Sequence, residues 1–112
     1  MKLEINIKTI DEALVKHRAE SSVVIDLLKR TGISGIRAVQ LYQQYGPDYC
    51  TRKYFHTEYV RPRDKRRFLQ ADIRENYAES DGFYEWFKRR KTEILLNDNI
   101  PIELQQIVGR IL

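Results

Sequence analysis

Apolar and polar residues alternate with period two from Lys2 to Lys8, placing Leu3, Ile5 and Ile7 on one side, and this predicts a half-buried strand over residues 2–8. A strand needs a partner. Residues from about 49 to 60, rich in Tyr, Phe and Thr, are the candidate, and the two would form a small two-stranded β ribbon packed on helices. The rest of the chain reads as helix. Thr9 and Glu12 have the spacing of a capping box, so a helix is expected to begin near Ile10. Its apolar positions are Leu14 and Val15, then Val24, Ile25, Leu27 and Leu28, with polar residues between, and either one bent helix or two short ones would fit. Gly32, following Lys29 and Arg30, marks the end of this segment, with cations in the last turn and glycine at the cap. Ser34 then caps a helix running to about Tyr45, closed by the turn chemistry of Gly46, Pro47 and Asp48.

Farther on, Pro62 suits the first turn of another helix, with Phe68, Leu69, Ile73 and Tyr77 as its apolar stripe. Ser80, Asp81 and Gly82 break the pattern. The next helix, from about Phe83 to Leu96, carries Phe83, Trp86, Phe87, Ile94 and Leu95, with Trp86 and Phe87 expected in the core. Pro101 opens a short last helix with Leu104, Ile107, Val108 and Ile111 as its apolar positions. Such a helix closes the core, forms the face of a homodimer, or continues into a longer chain. The expectation is a mainly α fold of four to five helices plus the ribbon over residues 2–8 and about 49–60, in a single domain spanning residues 1–112.

Composition narrows the class. Hydrophobic residues make up 42% of the chain and aromatics 11%, too much burial-prone material for disorder even with 32% charged residues. Apolar runs such as Ile94, Leu95 and Leu96 fall far short of the roughly 20 residues that cross a bilayer, and the start of the chain has no apolar signal core. No membrane contact is therefore expected. Cys50 is the sole cysteine, so no internal disulfide can form, and a lone thiol suits a reducing compartment; a cytoplasmic location is the expectation.

Charge changes the picture most. The net charge of +4 is concentrated between residues 51 and 91, where 12 Lys and Arg meet 7 Asp and Glu. Arg61, Arg63, Lys65, Arg66 and Arg67 form the densest cluster, and on a helix begun at Pro62 the residues Arg63, Arg66, Arg67 and Arg74 would share an exposed face. Lys88, Arg89, Arg90 and Lys91 form a second cluster. Arginine favours bidentate contact with phosphate or carboxylate. Asp64, Asp72, Glu75, Glu79, Asp81 and Glu85 are interleaved and could pair with these cations. Three readings follow: a phosphate-binding surface, a salt-bridged solvated face, or a surface that docks on an acidic protein. Nearby aromatics such as Tyr54 and Tyr84 could stack on unpaired bases if exposed.

A second feature lies upstream. Gly32, Ile33, Ala38 and Leu41, with Tyr45 and Gly46 closing the element, resemble a helix-hairpin-helix over residues 28–46. That resemblance implies binding of DNA backbone through amides of the tight turn. The same residues resemble a helix-turn-helix, in which Ser34 opens a recognition helix bearing Arg37, Gln40, Gln43 and Gln44. An ordinary helical hairpin closed by glycines is the third reading.

Catalytic chemistry has no recognisable motif. His17 and His56 lie far apart without metal-ligand spacing, Cys50 has no nucleophile motif, and no phosphate-cradling glycine loop or serine elbow is present. The expectation is a non-enzymatic protein without metal or cofactor. It would bind nucleic acid, DNA first, through Arg37, Gln40, Arg61, Arg63, Arg66, Arg67, Lys88, Arg89, Arg90 and Lys91, in a regulatory or accessory role. The alternative is an adaptor or inhibitor whose basic face meets an acidic partner protein.

Overall fold

The computed structural model describes residues 7–111 in backbone and residues 17–111 in side chains. They form six helices: α1 (Ile7–Arg30), α2 (Gly35–Tyr45), α3 (Pro47–Val60), α4 (Lys65–Glu75), α5 (Asp81–Leu95) and α6 (Ile102–Arg110). The mainly α expectation holds, with six helices instead of four to five, and there is no strand among the described residues.

The ribbon is corrected. Residues 2–6 lie outside the described residues, while Ile7 and Lys8 begin α1 and residues 49–60 belong to α3. The Thr9 capping box is not a helix start either, since α1 has already begun at Ile7 and runs unbroken to Arg30 as a single helix.

The misreading of α3 has a physical cause. This helix packs against all five others, and Cys50, Thr51, Lys53, Tyr54, Phe55, His56 and Thr57 are all buried. A helix enclosed on every side shows no polar stripe, so the 3.6-residue period disappears. What remains visible is a run of aromatic and β-branched residues, which imitates a strand. Pro47 in its first turn and the left-handed Arg61 at its end (φ +53) bound the helix. Because Arg61 occupies that cap, its amide donates to the Thr57 carbonyl at 3.0 Å.

The chain therefore turns through Pro62, and α4 starts later than expected, after Asp64. The Asp64 carboxylate accepts the Arg67 amide at 3.0 Å, as an N-cap does. Ser80, expected to break a helix, instead caps α5 by accepting the Phe83 amide at 3.1 Å. Tyr77, expected on the α4 stripe, lies beyond that helix and is 41% exposed.

The core gathers around α3. Val24, Leu27 and Leu28 from α1 sit at helical spacing and are buried, as are Ala38 and Leu41 of α2. Leu69 and Ile73 of α4 and Phe83, Phe87 and Ile94 of α5 complete the other side. Leu28, Leu41, Leu69 and Phe83 are exposed by 1% or less. Each such side chain contributes about 1.5–3 kcal/mol on burial. Leu104, Ile107, Val108 and Ile111 are also buried within the chain, so the last helix closes the core. Trp86 is only partly buried at the core's edge, whereas Phe87 is inside it. No helix among the described residues is long and apolar enough to cross a membrane.

Candidate nucleic-acid interface

The turn between α1 and α2 is built by three local choices. Gly32 takes φ +99, a conformation that a side chain would strain. Thr31 closes α1 by donating its hydroxyl to the Leu28 carbonyl at 2.7 Å. Ser34 opens α2 by accepting the Arg37 amide at 3.2 Å. Ile33 between them is buried and anchors the turn to the core.

Against this turn lies the start of α4. The Arg66 side chain passes over Gly32, its Cβ and Cδ 3.7 and 3.8 Å from where a β-carbon on that glycine would stand. The result is an open concavity of about 490 Å³ lined by residues of both features, including Ser34, Arg37, Asp64, Arg66, Arg67 and Gln70. Arg37 Nε donates to Gln70 Oε1 and its Nη1 to Gln40 Oε1, each at 3.4 Å. Arg37, Arg66 and Arg67 thus border one concavity with the N-terminal end of α2, where free amides and the helix dipole already favour an anion. Asp64 is the one carboxylate in the lining, and it is engaged in capping α4.

The hairpin and the first basic cluster, separate in sequence, are brought together here. Arg61 and Arg63 do not line the concavity; both are exposed in the α3–α4 connection. Among the described residues, Arg61, Arg63, Lys65, Arg66 and Arg67 make no ion pair.

Comparison with protein-family models, curated proteins and solved structures finds no match to this chain. Its chemistry has to be read from its own residues.

The second cluster has a different character. Lys88 pairs with Glu85 at 3.5 Å, and Arg90 with Glu93 at 3.3 Å and Glu58 at 4.0 Å. Lys91 Nζ donates to the Ile111 carbonyl at 3.2 Å. Arg89 is exposed. None of these four residues lines the concavity; Arg90 faces α3, and Lys91 faces the end of α6. Most of this cluster serves the fold's own electrostatics.

Of the carboxylates interleaved with these cations, Glu75 pairs with Arg74 at 2.9 Å on the exposed surface, whereas Asp72 and Glu79 are used inside the protein. Asp72, fully buried on α4, accepts from Lys53 Nζ at 3.2 Å, from His56 Nδ1 at 2.6 Å and from the Tyr77 amide at 3.1 Å. Glu79 pairs with Arg52, which also donates from its Nε at 3.0 Å, and lies 3.5 Å from Lys53. Tyr84 joins by donating to Glu79 at 3.3 Å and accepting from Arg52 at 3.1 Å. Two cations, Arg52 and Lys53, thereby match two carboxylates. Burial pushes the Glu79 carboxyl up, but the Arg52 hydrogen bond and the charges of Lys53 and Arg52 outweigh it and hold the group below its ordinary value. The network adjoins a concavity of about 460 Å³ and fastens both α4 and the chain after it onto α3.

Sequence reasoning missed this network and the role of Gln70. The signal was present: Arg52 and Lys53 stand inside a stretch of aromatics, and charges there require buried partners. His56 is buried between the rings of Phe68 and Phe83, with centroids 5.9 and 5.1 Å away. Cys50 is enclosed, its thiol 3.5 Å from the Leu41 carbonyl and its pKa pushed by burial up to about 12. Among the described residues no group of three or more His, Cys, Asp or Glu could hold a metal ion.

Proposed function

We propose that this chain binds nucleic acid, DNA in the first instance, by gripping backbone phosphate between the N-terminus of α2 and Arg37, Arg66 and Arg67, in a regulatory or accessory role. The observation that carries the reading is the convergence of three arginines, none paired with a carboxylate among the described residues, on a helix start that already attracts anions. Arg61 and Arg63, exposed beside the concavity's α4 wall, extend the positive surface for neighbouring phosphates. Lys88 and Arg89 would add only long-range attraction.

Titration of a labelled duplex and a labelled single strand over a range of salt tests the proposal. Affinity should fall steeply with salt, and the double variant Arg66→Ala/Arg67→Ala should reduce the logarithmic salt slope by about 2, close to one unit for each phosphate no longer neutralised. Failure of both ligands to bind at low salt refutes it.

The second reading is an adaptor or inhibitor that sets the same basic face on an acidic protein. Its specific support is the exposure of Leu96 (79%) and Ile102 (57%), which could serve as an apolar anchor. It requires a protein complex that survives nuclease treatment, and partners lost on nuclease treatment would refute it.

A further inference from the structure

The concavity between the α1–α2 turn and the start of α4 is chemically narrower than a generally positive surface. Its lining sets Arg37, Arg66 and Arg67 against Asp64 alone, which leaves an excess of two positive charges. Arg74, on the same helix as Arg66 and Arg67, lies outside the lining and is paired with Glu75. The lining contains no lysine, so each of its cations is a planar fork of fixed geometry, suited to a group that carries several oxygens on one centre. Most of the donors on these forks are uncommitted. Arg37 spends only its Nε and Nη1 on Gln70 and Gln40, and among the described residues the Arg66 and Arg67 guanidinium groups make no hydrogen bond. No aromatic ring lines the space, so it offers a base nothing to stack on and addresses the phosphate itself.

We infer that this concavity takes the terminal phosphomonoester of a nucleic-acid strand in preference to an internal phosphodiester, so that the protein binds strand ends. The inference rests on the nucleic-acid reading above and specifies which phosphate the site holds. Charge separates the two ligands. An internal diester brings a single negative charge and leaves one cation of the lining unmatched, whereas a monoester brings close to two at neutral pH and cancels the excess. The oxygens divide them in the same way. A monoester presents three terminal oxygens to three guanidinium groups, while a diester presents fewer, because sugars hold both of its remaining positions. The two walls act in the same direction: a strand end enters between the Gly32 turn and α4 with one sugar attached, and an internal phosphate must bring two. Arg61 and Arg63, exposed in the connection that leads into α4, remain for phosphates farther along the strand, which a free phosphate ion would leave unused.

Binding of the full chain to one short, internally labelled duplex, prepared with 5′-phosphate, 3′-phosphate or only hydroxyl ends, tests this at near-physiological salt. At least one phosphorylated form should bind about tenfold tighter than the hydroxyl-ended form. Arg37→Ala, and separately Arg66→Ala with Arg67→Ala, all at exposed sites where alanine favours helix, should cut that preference to below about threefold. Arg74→Ala, outside the concavity, should keep it. Inorganic phosphate alone should bind at least about tenfold more weakly than the phosphorylated duplex, and equal affinity would assign the site to the free ion and overturn strand-end recognition. Equal binding of all three duplexes overturns it too and leaves the backbone-phosphate reading standing. So does a preference that survives both sets of concavity substitutions, or one that Arg74→Ala removes to the same extent. No binding of any duplex at low salt removes both readings.

Discussion

Replacing Asp72 with asparagine probes the joint on which the proposed phosphate site depends. Asp72 is fully buried and accepts three bonds, from Lys53, His56 and the Tyr77 amide. An amide of the same shape keeps the volume but brings an N–H donor into a site ringed by donors and leaves Lys53 without its nearer anion. Removing one partner of a buried ion pair costs about 3–5 kcal/mol. Lys53 keeps Glu79 at 3.5 Å and the Tyr77 carbonyl at 3.3 Å, so the low end applies, about 3 kcal/mol. In urea, with m about 1.5 kcal/mol/M, the unfolding midpoint should fall by about 2 M. Adding Lys53→Met removes the orphaned cation while its stem volume is retained. The pair should therefore show a coupling of at least about 1 kcal/mol relative to the sum of the single effects. A midpoint shift below about 0.5 M, or strict additivity, would refute the claim that this carboxylate holds α4 on α3.

Three further outcomes follow from the same packing and charges. Glu79 is held below its ordinary value of 4.5, so the stability it contributes is present above that value and is lost as pH falls through its lower folded value; Glu79→Gln should flatten this acid limb in a pH series of urea melts. Gly82→Ala should destabilise the start of α5 by about 1–3 kcal/mol, because the new β-carbon would stand 2.5 Å from the Tyr59 hydroxyl oxygen on a packed ring; an unchanged melting temperature would contradict the crowding. Cys50, buried with its pKa pushed up to about 12, should resist alkylation at neutral pH until the protein unfolds, and rapid labelling of the native chain would contradict its enclosure.

The legible parts of this fold were those bounded by local chemistry. Ser34 before α2 and Gly46 after it mark that helix by their own preferences, and the stripe of Leu69 and Ile73 announces α4. The illegible parts were those decided by distant residues. Helix α3 is hidden from periodicity because it is enclosed by every other helix, and Ser80 reads equally as a break or a cap until the helix behind it is seen. The same division holds for the candidate site. Arg37, Arg66 and Arg67 could be named from charge alone, but their meeting required Gly32 and the α3–α4 turn. That Asp72 and Glu79 turn inward, sparing these arginines, depends on Arg52 and Lys53, a full helix upstream. The second basic cluster went the other way, because Glu85 and Glu93 stand at helical spacing from its cations.

The central position of α3 bears on how the molecule opens. Its amides lie beneath every other helix, so they should exchange with deuterated solvent only when the chain unfolds globally, while the ends of α6 and the α5–α6 connection exchange by local opening. Both walls of the concavity between α2 and α4 rest on this slowest-exchanging element, one through α2 and the other through α4. Ligand protection should then appear as slowed exchange at the start of α2 and along α4, over an α3 baseline that does not move until the whole structure is lost.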